Sequence, residues 1–161
     1  MLMEIIGLVF CIIVGTIGHF IYDWSNKNTL FGFLFAKNES TWEHIKLGVT
    51  PILLWTIIEL ITVNLNCLMF SKFISIIVFM LLLLVFYYGY KYIFKNNNMF
   101  YDISLFYVCL GISFTVSIII IKSISCSILL NIIGFIGIAS VIFLYYKFNQ
   151  KTPELIIFKE P

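Results

Sequence analysis

Asn38-Glu39-Ser40-Thr41-Trp42-Glu43-His44-Ile45-Lys46 is the densest polar stretch in a chain otherwise dominated by Ile, Leu, Phe and Val. On its N-terminal side an apolar segment ends in His19-Phe20-Ile21-Tyr22-Asp23-Trp24, and on its C-terminal side the chain turns apolar again without a break. Hydrocarbon is crossed by roughly 20 helical residues, so this stretch reads as the junction of two membrane helices. Composition agrees: of 161 residues, 61% are hydrophobic and 11% charged, against about 25% charged in an average soluble chain. The formal charge of +2 is dispersed and includes no arginine, so no nucleic-acid partner is expected.

Working outward, the apolar runs predict an all-α, polytopic integral membrane protein with five transmembrane helices. They are expected at about 2–23, 41–70, 73–94, 102–121 and 126–147, as a single membrane domain over 1–161 with a polar tail at 148–161. The start Met1-Leu2-Met3-Glu4 lacks a basic leader region, so the first segment is expected to stay as a helix. Leu30-Phe31-Gly32-Phe33-Leu34-Phe35-Ala36 is apolar but too short to cross, which suits an interfacial or re-entrant segment over the polar cluster. Ser40 and Glu43 fit a reciprocal capping box at the start of the second span, and Pro51 should kink that span. Steps of three or four from His44 give Gly48, Pro51, Trp55, Glu59, Thr62 and Asn66, a polar or small stripe that should face protein or water. Asn96-Asn97-Asn98 reads as a turn and Asp102 as an N-cap. Cys11, Cys67, Cys109 and Cys126 lie in apolar surroundings without C-x-x-C spacing and read as small buried hydrophobes.

Five spans divide the lysines unevenly. Lys27, Lys37, Lys46, Lys91, Lys95, Lys147, Lys151 and Lys159 fall on one side, and only Lys72 and Lys122 on the other. The positive-inside rule then puts the N-terminus outside and the C-terminal tail in the cytoplasm. His19, Asp23 and the Asn38–Lys46 stretch gather on that cytoplasmic face.

Gly18-His19-Phe20-Ile21-Tyr22-Asp23-Trp24, followed by Asn38-Glu39-Ser40-Thr41-Trp42-Glu43-His44-Ile45-Lys46, Glu59 and Asp102-Ile103-Ser104, resembles an uncharacterised bacterial family of small multi-pass membrane proteins. The signature is G-H-F-x-Y-[DE]-W followed by N-E-S-x-W-E-H-x-K. The resemblance implies a multi-pass protein of the bacterial inner membrane and adds no mechanism.

Two constellations carry chemistry. His19, Asp23, Glu39 and His44 are candidate ligands for a divalent metal such as zinc, because imidazole with carboxylate suits such ions. Glu43 and His44 are then the candidate catalytic pair of a metal-dependent hydrolase acting on a membrane substrate. Asn38, Trp42 and Lys46 are candidates for binding a lipid headgroup or small polar ligand. The alternative is plain packing: Ser40 and Glu43 cap a helix, Glu43 pairs with Lys46, Trp24 and Trp42 anchor at headgroups, and His19 bonds Asp23. Glu59 is placed near the bilayer midplane, on the order of 15 Å deep, with Thr62, Ser113, Thr115 or Ser117 as partner. A carboxylate there suits a proton- or cation-coupled transporter. A non-catalytic membrane subunit remains a further possibility, and an enzymatic role is left open.

Overall fold

The computed structural model describes residues 1–63, 67–94 and 99–160. The expectations for Asn66, Lys95 and the Asn96–Asn98 turn fall outside these residues. Five long helices carry the chain: α1 (Leu2–Trp24), α3 (Thr41–Thr62), α4 (Leu68–Phe94), α5 (Met99–Ser123) and α6 (Ile128–Gln150). Each is long and apolar enough to cross a membrane. Between α1 and α3 sits the short α2 (Thr29–Leu34), and after α6 the chain forms a single 3-10 turn, Ile156–Phe158.

Four of the five spans close a ring. Helix α1 packs on α3 and α5, and α4 packs on the same two; α6 lies outside this ring against α4. The interior is filled by Cys11, Ile52, Ile76, Phe79, Leu110 and Phe114, all essentially buried. Ile5, Val9, Ile13, Ile57, Val85 and Ile132 are exposed outward, the inside-out pattern expected where acyl chains replace water as solvent.

The second span stops eight residues before its expected end near residue 70. Helix α3 ends at Thr62, and α4 begins at Leu68. In sequence, Thr62, Asn64 and Asn66 interrupt the apolar run here, a polar signal that the expected span over 41–70 passed over; Cys67, with φ of 64°, then leads into α4. The α3 stripe is buried at Gly48, Pro51, Trp55 and Glu59, whereas Thr62 is exposed and bonds back to the Ile58 carbonyl.

Pro51 stays inside α3. It has no N–H for the Leu47 carbonyl one turn earlier, and that carbonyl is met by α1. A Cβ on Gly15 would stand 2.6 Å from Leu47 O, so only glycine lets the two backbones come this close.

Helix α2 is the expected short cover rather than a crossing. Asn28 caps it, and it is clamped to α3 from below: Lys46 Nζ donates to Gly32 O (2.9 Å) and Thr50 Oγ1 to Leu34 O (2.5 Å). The tail also returns to the body. Phe158 is buried against Trp42 and Phe148, with ring centroids 5.2 and 5.1 Å away.

The cysteines depart from expectation. Cys11 and Cys109 are buried and free, but Cys67 and Cys126 form a disulfide across 59 residues of sequence, tying the α3–α4 connection to the α5–α6 connection. Two cysteines in separate loops carry no spacing signal, and only the packing of α4 beside α5 and α6 brings them together.

Candidate functional site

The capping geometry at the head of α3 sorts the polar stretch into two opposite sets. Ser40 Oγ accepts from Glu43 N (3.4 Å), the first half of the box. The return half does not form. Ser40 N donates instead to Asn38 Oδ1 (3.1 Å), and Glu43 Oε2 accepts from Lys37 N (2.8 Å). Glu43 also sits 2.6 Å from Lys46 Nζ, both side chains being buried. One turn of helix fixed this way points Trp42, Glu43 and Lys46 inward toward α2, α6 and the tail. His44, about 100° further round, points to α1.

His44 thereby meets His19. The imidazole centroids are 5.4 Å apart, and the Glu39 carboxylate lies beside both: Oε1 is 3.6 Å from His19 Nε2 and Oε2 is 3.5 Å from His44 Nε2. One ligand atom from each of the three residues falls within 4.8 Å of the others. His44 Nδ1 is 3.0 Å from Ser40 O. A carbonyl only accepts, so Nδ1 carries a proton, and in the neutral ring the lone pair then sits on Nε2, aimed at Glu39. A lone pair and a carboxylate facing each other need a proton or a cation between them.

Behind this group the ring opens into a cavity of about 590 Å³. Its rim includes Thr16, Thr41, Tyr87, Asp102 and Tyr107; its walls include Leu47, Leu83, Leu105 and Phe106. Tyr107 and Thr16 share a hydrogen bond of 3.0 Å, and Thr41 and Tyr88 one of 3.2 Å. His19 Nδ1 and Asp102 Oδ1 are buried without a hydrogen-bond partner.

Of the residues singled out in the sequence, His19, Glu39 and His44 converge. Asp23 is exposed at the end of α1 and stands outside their group. Glu43 faces Lys46 and not His44, which removes it from a catalytic pair with that histidine. Trp42 is buried against Tyr145, Phe148 and Phe158 rather than anchored at a headgroup. Lys46, buried, spends its donors on Glu43 and Gly32 and is not offered to a ligand, and the Asn38 side-chain oxygen accepts from Ser40 N. Asp102 lies within the first turn of α5, which starts at Met99, and lines the cavity instead of capping. That role was not legible, because it depends on α5 standing beside α1.

Glu59 lies at the other end of the ring, in the last turn of α3 rather than at the midplane. Its partner is none of the hydroxyls proposed for it. Lys72 Nζ stands 2.7 Å from Glu59 Oε2 and 2.7 Å from both oxygens of Glu4, and Ser117 Oγ donates to Glu4 Oε1 (3.2 Å). Each ring helix supplies one member, and all four are fully buried or nearly so. Glu4 and Lys72 were missed, although a lone charge within an apolar span is itself a signal for a buried partner. Along α4 and α5, Ile76, Phe79, Leu110 and Phe114 separate this knot from the cavity.

Five spans long and apolar enough to cross a membrane, in an arrangement that is all-helical among the described residues, are those of a multi-pass membrane protein. The chain belongs to the family of unknown function DUF6512, whose model matches residues 2–161. Comparison with the curated proteins and with the solved structures returned no match.

Proposed function

We propose that His19, Glu39 and His44 bind a divalent cation such as zinc, at the cytoplasmic face of a bacterial inner membrane. The observation that carries this reading is the convergence of three ligands from three separate segments, with the His44 lone pair directed by the Ser40 carbonyl. Two imidazoles and one carboxylate suit zinc and leave open positions toward the cavity. At such a centre a metal supplies Lewis acidity toward a carbonyl or phosphoryl oxygen, which is the chemistry a hydrolase of membrane substrates requires.

The orientation rests on two independent signals. Seven of the lysines in described residues lie toward the histidine end by sequence, which favours the cytoplasm. The Cys67–Cys126 disulfide lies at the opposite end, where it suits an oxidising compartment. A relay through Glu59 has less support, because its carboxylate is held by Lys72 behind the apolar layer.

The test is metal content after equilibrium dialysis of the detergent-purified protein against zinc. One ion per chain is expected, with affinity falling by more than about tenfold in His19→Ala and His44→Ala. Unchanged stoichiometry and affinity in the double variant would sink the reading.

A further inference from the structure

We infer that the cavity behind the histidines takes a single-chain amphiphile with a neutral, hydroxyl-bearing ester head, of the monoacylglycerol type. The inference rests on the site reading above, because the head is placed at the proposed metal ligands.

The volume of about 590 Å³ falls within the roughly 300–1,000 Å³ common for small-molecule sites. Its division is that of an amphiphile. Leu47, Leu83, Leu105 and Phe106 form walls that offer water no hydrogen bonds, and an apolar void is a poor host for water. At the rim, Asp102 Oδ1 is a buried acceptor without a donor, and His19 Nδ1 also lacks a partner. A ligand with hydroxyls satisfies Asp102, whereas a free fatty acid brings a third carboxylate beside Asp102 and Glu39. An ionised acid has no proton to donate to Asp102, so this orphan acceptor favours the hydroxyl-bearing neutral head over the acid. Apart from Glu39, the lining belongs to the apolar spans α1, α3, α4 and α5, which suits a ligand already dissolved in the bilayer.

The experiment uses the full chain in nanodiscs with three photoreactive probes bearing the same acyl diazirine: a monoacylglycerol, a fatty acid and a two-chain phosphatidylcholine. The expected result is labelling by the monoacylglycerol concentrated on 15–20 and 102–107, at least several-fold above the other two. Leu105→Trp should fill the cavity and remove that labelling while zinc binding persists. Asp102→Asn should narrow the preference over the fatty acid. Labelling spread evenly over the outward faces, equal labelling by all three probes, or labelling unchanged by Leu105→Trp overturns the inference. If Leu105→Trp does not fold, the wild-type label map decides alone. Localised labelling without zinc binding would defeat the metal reading and leave the cavity assignment standing; zinc binding with diffuse labelling would do the reverse.

Discussion

Lys46 and Glu43 show how one residue decides the meaning of its neighbours. Both are buried, and their contact of 2.6 Å holds the first turn of α3 in the rotation that sends His44 toward His19. Removing one member of a buried pair leaves the other charge uncompensated, at a cost of about 3–5 kcal/mol. Glu43→Gln is therefore expected to lower the thermal unfolding midpoint sharply, and the joint change Glu43→Leu with Lys46→Met to lower it much less. Equal losses in the two variants would mean the contact acts as shape alone. By contrast, Glu39 is largely exposed, so Glu39→Gln should leave the midpoint nearly unchanged while weakening zinc binding; calorimetry alongside metal titration separates the two. Metal binding should also weaken on acidification, since protons compete for imidazole nitrogen.

Among the elements, helix contacts are set by where backbones touch. Gly134 of α6 stands so close to α4 that a Cβ would lie 2.4 Å from Met69 C and Phe70 N. Backbone cannot swing aside as a side-chain tip does, so Gly134→Val should detach α6 from the ring. A cost above about 1–3 kcal/mol is expected from overpacking, read as a lower midpoint and faster proteolysis after residue 127. Gly111→Ala is the control: nothing lies within 4 Å of its added carbon. Relief of glycine's helix penalty, about 1 kcal/mol in water, should then raise the midpoint slightly or leave it alone. A loss in Gly111→Ala matching that in Gly134→Val would contradict the packing argument.

For the whole molecule, the ring has one tied end and one open end. Cys67–Cys126 and the Glu4–Lys72–Glu59 knot close the first; the histidine cavity occupies the second. A disulfide spanning 59 residues contributes typically 2–4 kcal/mol, so Cys67→Ser with Cys126→Ser should lower stability by that order without altering zinc affinity. An impermeant thiol reagent on intact cells should reach a cysteine introduced at Leu129, near the tied end, and not one at Asn149, near the open end. The opposite pattern would invert the proposed orientation.

Helix count was legible along the chain because it depends on local facts; the histidine–carboxylate cluster was legible only in part, since the expected set of His19, Asp23, Glu39 and His44 included Asp23, which stands apart from the other three. A span is twenty-odd apolar residues, and Ser40 with Glu43 marks where α3 begins. Much of the rest was not legible, since a sequence records the order of side chains and not which of them share an interior. Glu59 could not be matched to Lys72, nor Cys67 to Cys126, nor Asp102 to a cavity wall, before α1, α3, α4 and α5 closed on one another. Sequence alone settled that this chain lives among lipids, because burying so few charges in so much hydrocarbon needs no partner to be specified. Which charges meet, and at which end of the ring, was decided only in three dimensions, because a buried ion is tolerated only where the fold brings its counterpart within reach.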